Sequence, residues 1–324
     1  MLESGRSGAC GGKRPGSHIA TGHPDGDPRR IWMRRFWGVR LGAVSAVLAA
    51  LLALVPVLPV SATSASPANP SGYLALGDSV PFGLNPLLLR PGANPGVFVG
   101  YPQLASNLFS PPLNVFNASC PGETSSSLIS GARPDNGCRD YRQFIGALHV
   151  SYPGSQLQHA QSHVAANPQT KFVSLTIGAN DAALLHDSCS ARVPPMDVNS
   201  CFIQGLPSLL VTLRNNLTAT YAGLRAAGFT GQFVAVTYYS ADYRDLLATG
   251  AVAAVDGVLA DVTRAFGGTV ADGFGAFATA AAPFGGDSCK AGLLIQRTVD
   301  TCDIHPSRAG AALLASVLRA AVGP

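Results

Sequence analysis

Beyond residue 70 the chain alternates short, unbroken apolar runs with longer segments whose apolar residues recur every three or four positions. The runs at 73–77, 113–117, 171–177 and 232–238 are each followed by turn-forming residues and predict strands, and a weaker run at 268–271 predicts a fifth. Between them, 101–109, 156–166, 206–227, 252–266 and 307–321 carry helical spacing, with Gly228 as a stop for the third. Strands alternating with helices imply parallel strands joined by right-handed crossovers and covered on both faces. The expected fold is therefore a three-layer α/β/α sandwich around a central, mostly parallel five-stranded sheet. Ligands of such sheets bind outside the carboxyl ends of the strands, so polar residues just after strands are the first candidates for chemistry.

The first 65 residues follow a different pattern. Arg29, Arg30, Arg34, Arg35 and Arg40 precede the apolar run 41–60, and the small residues 61–66 follow it. That is the order of a secretory signal with its cleavage site, expected near Ala65. An uncleaved membrane anchor is the alternative, since twenty apolar residues could span a bilayer, but Pro56, Pro59 and the Ala-rich exit favour cleavage. Met33 stands where an ordinary signal would begin, and a start there would make 1–32 an over-extension. Residues 66–324 are then expected to form one secreted domain.

Charge changes the picture only at the leader. Of 22 Lys/Arg and 18 Asp/Glu in the 324 residues, eight basic and three acidic residues lie in 1–65, which leaves 14 basic and 15 acidic in the body. No basic stripe remains for phosphates, so a nucleic-acid partner is not expected. Only 12% of residues are charged and 47% are hydrophobic, which excludes a disordered chain. Cys10 lies in the leader, and the body holds the even set Cys120, Cys138, Cys189, Cys201, Cys289 and Cys302, as suits an oxidising compartment. Spacing leaves 15 connectivities open. The sequential pairing, 120 with 138, 189 with 201 and 289 with 302, is preferred because each closes a short loop. No close Cys-x2-Cys couple suggests a metal.

Four polar blocks follow strands or open the last helix. Gly77-Asp78-Ser79 ends the first strand and could present the Ser79 hydroxyl at the mouth of the sheet, although Ser79 could also merely cap a helix. Gly286-Asp287-Ser288 repeats the tripeptide with no strand before it, and reads as a loop coincidence. Gly122 follows the second strand, where a glycine N–H can support an oxyanion or simply make a turn. Gly178-Ala179-Asn180-Asp181 follows the third, and Asn180 could aim a neutral donor at developing charge or cap a helix. In Asp303-Ile304-His305-Pro306 an extended backbone puts both side chains on one side, so Asp303 could fix the tautomer of His305, and His305 could take the proton of Ser79.

In this order the blocks resemble those of the SGNH (GDSL) hydrolase family across nearly the whole body. The resemblance implies Ser79 as nucleophile, His305 and Asp303 as its triad partners, and an oxyanion hole from the Ser79 and Gly122 N–H groups with the Asn180 side chain. Val80 stands where the family's name-giving motif has Leu, a tolerant apolar position. The six cysteines, Cys138-Arg139-Asp140-Tyr141-Arg142 and Gly154-Ser155-Gln156-Leu157 are similar to secreted bacterial esterases and lipases of that family. It implies an ester hydrolase without metal or organic cofactor, acting as a monomer on a small-molecule or lipid ester, with no stable membrane span after signal cleavage. A carbohydrate O-deacetylase is the nearest alternative, and a non-catalytic surface or sugar-binding protein comes from another class.

Other constellations are weaker. No Gly-x-Ser-x-Gly elbow occurs. His159 and His163 are four apart on a helix and could share a metal with His149 or His186, but a solvated helix face is the expectation. Phe274, Phe277 and Phe284 are read as core or loop packing rather than an acyl pocket. The loops at 131–153 and 182–207 are expected to shape whatever pocket exists.

Overall fold

The computed structural model describes residues 72–192 and 197–323, so the leader, the cleavage site and Met33 lie outside the described residues. Strands β1 (Gly72–Gly77), β2 (Asn114–Asn117), β3 (Phe172–Thr176), β4 (Gln232–Val236) and β5 (Thr269–Ala271) pair in parallel in the order β2-β1-β3-β4-β5. Every residue of β1 and β3 is buried, as unbroken apolar runs require when both faces of a sheet are covered. Tyr73 stacks on Phe172 across that pair, with ring centroids 4.3 Å apart.

The short helices α1 (Ser79–Phe82), α2 (Tyr101–Ser106), α3 (Ser125–Ser130) and α4 (Cys138–Asp140) occupy the first half of the chain with α5 (Gln156–Ala166). They are followed by α6 (Ala179–Ser190), α7 (Val198–Ala226), α8 (Leu246–Ala265), α9 (Gly273–Ala281) and α10 (Arg308–Val322). Helices α5, α7 and α8 pack side by side, while α2 and α10 pack together against the other parts of the sheet, giving the three-layer α/β/α sandwich. The chain runs from β1 to one side to form β2, then crosses to β3 on the other side. The strand order therefore reverses between β1 and β3, and a crevice opens there at the carboxyl ends.

Several elements differ from the sequence pattern. The region after residue 182, expected as loop, begins inside α6, and α7 starts at Val198 rather than at 206. Asp197 caps the longer α7 by accepting from the Asn199 and Ser200 N–H groups, at 3.3 and 3.2 Å. Pro207 sits inside the helix, where it has no N–H to give the carbonyl of exposed Ile203 one turn earlier. Helix α8 likewise starts early, where Asp245 accepts from the Ala248 N–H at 3.0 Å. It is long and apolar enough to cross a membrane, yet it lies against β4, β5 and α7, which accounts for that composition. After α9, strands β6 (Leu294–Gln296) and β7 (Cys302–Pro306) form an antiparallel hairpin separate from the main sheet.

Candidate active site

Ser79 is the first residue of α1, immediately beyond β1. The helix cap is not Ser79 but Asp78, whose Oδ1 accepts from the Val80 N–H at 2.9 Å. That leaves the Ser79 hydroxyl free of capping, and it lies 2.9 Å from His305 Nε2. His305 in turn meets Asp303 through Nδ1, and its backbone N–H donates to the same Asp303 oxygen at 3.1 Å. The two side chains share one side because they are two apart on strand β7. Both are nearly covered, at 14% and 13% exposure, and Arg297 stands 3.7 Å from the outer Asp303 oxygen. A hydroxyl, an imidazole and a carboxylate in this chain can pass the hydroxyl proton to the ring while the carboxylate stabilises the resulting cation.

The hairpin that carries this pair is held from several sides. Cys289–Cys302 anchors the start of β7, with Cα atoms 5.7 Å apart. The Tyr239 hydroxyl donates to the Ile304 carbonyl at 2.8 Å, and the Ser307 N–H donates to the Leu293 carbonyl at 2.8 Å. Ser307 then caps α10 by accepting from the Gly310 N–H at 3.2 Å.

Asn180 stands in the first turn of α6, across the crevice from Ser79. Its Nδ2 donates to the Glu123 carbonyl at 3.0 Å and lies a long 3.4 Å from Asp78 Oδ2, while Asn136 Nδ2 donates to its Oδ1 at 2.9 Å. The last bond fixes which end of the Asn180 amide faces the crevice. Asn136 was not singled out from the sequence; it also donates its backbone N–H to the Gly122 carbonyl at 2.7 Å. Gly122 has φ +80°, and a Cβ there would sit 2.2 Å from the Asn136 carbonyl oxygen, so only glycine lets the two segments close. Cys120–Cys138 ties the same two segments together. Among the described residues, the N–H groups of Ser79 and Gly122 find no protein acceptor.

Beneath these donors lies a buried polar layer that the sequence did not announce. Gln156, 1% exposed on α5, accepts from the Gly77 N–H at 2.6 Å and donates to both the Gly77 carbonyl and Glu123 Oε2 at 3.0 Å. One side chain thus clamps the end of β1 to the segment after Gly122. The Tyr238 hydroxyl donates to Asp78 Oδ2, and Asp256 on α8 accepts the Tyr238 N–H at 2.9 Å. Asp181 accepts from the Ser125 N–H at 2.9 Å and its hydroxyl at 2.6 Å, joining α6 to α3. Burial pushes Asp78, Glu123 and Asp256 up to about 7 and raises Asp181, because each would have to hold its charge away from water. Glu123 also lies beside the two sulfurs of Cys120 and Cys138, but their bond to each other leaves neither as a thiolate ligand for a metal.

A cavity of about 300 Å³ opens at Ser79, Asn180 and His305 and runs between α6 and α8 over mostly apolar walls. A larger, more polar hollow of about 470 Å³ lies along 131–154 beside Arg139 and Arg142, and none of the site residues above lines it. The repeated tripeptide is structural: the Ser288 hydroxyl is buried and donates to the Ser240 carbonyl at 2.7 Å. The expectation of a solvated face for His159 and His163 is corrected. His159 stacks on Tyr152 at 4.8 Å and His163 packs on Phe116 at 4.4 Å, and burial holds both below the usual histidine range. His149 is bonded to the Phe82 carbonyl at 2.9 Å and His186 faces Asp187, so neither joins them. Phe277 is buried against Tyr239 and Phe284 is half exposed; neither they nor Phe274 line the cavity. The third disulfide, Cys189–Cys201, staples α6 to α7, so all three sequential pairs are formed.

The model of the GDSL-like Lipase/Acylhydrolase family matches residues 75–313, a span that contains every residue of this site. Among solved structures, the fold resembles a phospholipase A1 from Streptomyces albidoflavus at 20% identity and TM-score 0.50, covering 78% of this chain and 99% of that one. An acetylxylan esterase from Geobacillus stearothermophilus is also similar, at 17% identity and TM-score 0.46 over 79% of this chain and 96% of that one. No curated protein matches the chain by sequence.

Proposed function

This chain belongs to the GDSL-like Lipase/Acylhydrolase family and is a carboxylic ester hydrolase, and we propose that it works through an acyl-enzyme on Ser79. Ser79 Oγ attacks the ester carbonyl as its proton passes to His305 Nε2, and Asp303 accepts from Nδ1 and stabilises the imidazolium. The oxyanion rests on the N–H groups of Ser79 and Gly122 and on Asn180 Nδ2. For Asn180 this requires only that its long 3.4 Å contact to Asp78 yield to a stronger acceptor. Burial raises Asp78, which lessens the negative charge held beside that oxyanion. His305 then protonates the leaving alcohol as the carbonyl re-forms. Water, deprotonated by His305, attacks the acyl-enzyme, and the acid departs with Ser79 reprotonated.

The observation that carries this reading is the 2.9 Å contact from a serine freed of capping to a histidine backed by a carboxylate. All site residues come from one chain, so a monomer suffices. Residues 1–65 serve as the leader and signal for secretion of a single domain, in keeping with three disulfides in the body. Ser79→Ala tests the role of the serine: turnover of an aryl ester is expected to fall by at least about 10⁴-fold with an unchanged circular dichroism spectrum, while Ser288→Ala stays near wild type. A Ser79→Ala enzyme with a tenth of wild-type activity would overturn it.

A further inference from the structure

The cavity beside Ser79 is larger than hydrolysis itself requires. Its walls are two helix faces of small or apolar side chains. Ala182 and Ala183 come from α6, and Ala248, Ala251, Val252 and Val255 come from α8 at positions i, i+3, i+4 and i+7 of one helical face. Val255 packs on Gly178 at the start of α6, where a Cβ would lie 2.8 Å from Val255 Cγ1. The hydroxyls that reach this space already have partners. Tyr238 donates to Asp78, Tyr239 donates to the Ile304 carbonyl at 2.8 Å, and Ser240 is bonded to Thr249 at 2.7 Å. The α6 and α8 faces, with Ala182, Ala183, Ala248, Ala251, Val252 and Val255, therefore offer no polar side chain to a sugar ring, whose hydroxyls would lose hydrogen bonds against them.

We propose that the cavity seats the acyl chain of the substrate and that this chain is a medium-length fatty acyl group of about eight to ten carbons. The length follows from volume. About 300 Å³ holds on the order of ten atoms of water's size, and a methylene occupies a similar space. An acetyl group would leave most of that volume to water against apolar walls, which is unfavourable. The alcohol departs during acylation, whereas the acyl group is held at Ser79 until water releases it. The apolar space that opens at the serine hydroxyl suits the part that stays. This inference rests on the Ser79 reading and goes on to name the substrate class.

The test is a series of aryl esters from acetyl to palmitoyl with wild type, Ala183→Phe and Ala251→Phe. For wild type, kcat/KM is expected to rise about fourfold per added methylene as the chain enters, and to stop rising near eight to ten carbons. Each phenylalanine variant should lose at least about 30-fold on octanoate while staying within about threefold on acetate, because only the tail's space is filled. Labelling of Ser79 by a small ethyl fluorophosphonate at wild-type rate certifies that a variant is folded and competent; Ala251→Leu serves in place of a phenylalanine variant that fails to label. A wild-type profile highest at acetate and falling with length overturns the proposal, as does an equal loss on acetate and octanoate in labelled variants. Either result leaves the Ser79 reading intact, which fails separately if Ser79→Ala turns over acetate like wild type.

Discussion

Ser79 and Asn180 leave the sheet on the buried strands β1 and β3, and the groups around them are tied to one another at depth: Gln156 to Gly77 and Glu123, Asn136 to Asn180, Tyr238 to Asp78. Asp303 and His305 instead ride a two-stranded hairpin outside the sheet, held by a disulfide, one tyrosine hydroxyl and a helix cap. The serine and oxyanion side is thus fixed redundantly by the fold's own ladder and a buried hydrogen-bond layer. The acid–base side is fixed by a few attachments, one of them covalent. Damage should register differently on the two sides: removing a donor on the first costs transition-state stabilisation, whereas loosening the second costs alignment.

The largest expected effect separates an oxyanion donor from the residue that orients it. Asn180→Ala should lower kcat by roughly 10² to 10³ with KM little changed, as for a contact made more strongly in the transition state. Asn136→Ala leaves that donor present but held on one side only, by the Glu123 carbonyl, and should cost about tenfold in kcat. A raised KM with unchanged kcat in Asn180→Ala would mean that Asn180 binds substrate rather than the oxyanion. Equal losses in the two variants would remove the distinction between donor and orienter.

A smaller effect is expected on the hairpin. Cys289→Ser/Cys302→Ser removes the brace next to Asp303, and kcat should fall about tenfold while KM stays within about twofold. Opening a short loop of this kind costs up to about 3 kcal/mol in chain entropy, so melting temperature should drop as well. The comparison is sharpened with Cys189→Ser/Cys201→Ser, which should lower melting temperature similarly and leave kcat near wild type, because that bond joins α6 to α7 away from the triad. Equal kcat losses in the two pairs would show that the hairpin bond has no special role in alignment.

The smallest effect concerns the buried layer and pH. Asp256 titrates near 7 in the fold because burial disfavours its charge, against about 4 in an unfolded chain. The folded state therefore holds the extra proton between those values, and stability falls as pH rises from about 4 to about 7. Asp256→Asn keeps an oxygen for the Tyr238 N–H and cannot ionise. Its melting temperature relative to wild type should climb by a few degrees across that window and level off above it. A difference that is flat with pH would mean that Asp256 ionises as readily folded as unfolded.

What was legible in the sequence was whatever leaves a local pattern. The five strands are visible because each is a short apolar run between turn residues, and their order of polar blocks marked Ser79, Gly122, Asn180 and the Asp303–His305 pair, which the fold brings together. The supporting shell left no such pattern. Gln156 is one polar residue among several on an amphipathic helix, and only the approach of α5 to β1 shows that its amide closes the ladder at Gly77. Asn136 lies in a loop 44 residues before its partner. The stretch 182–207 reads as loop in the sequence, yet α6 and the first turns of α7 fill most of it, held by the Cys189–Cys201 bond and the Asp197 cap from segments the local pattern does not show. His159 and His163 looked like a wet face because histidine is polar, yet their rings are covered by Tyr152 and Phe116 from distant segments.

The central claim, that Ser79 is the nucleophile activated by His305, is tested most directly by covalent capture. Wild-type protein treated with a fluorophosphonate should carry one adduct, found by peptide mass spectrometry on the segment containing Ser79, and hydrolysis should stop in proportion to labelling. His305→Gln should label at least about 100-fold more slowly, because the hydroxyl keeps its proton. An adduct on Ser288 or another serine, or full ester hydrolysis by protein already labelled at Ser79, would contradict the claim.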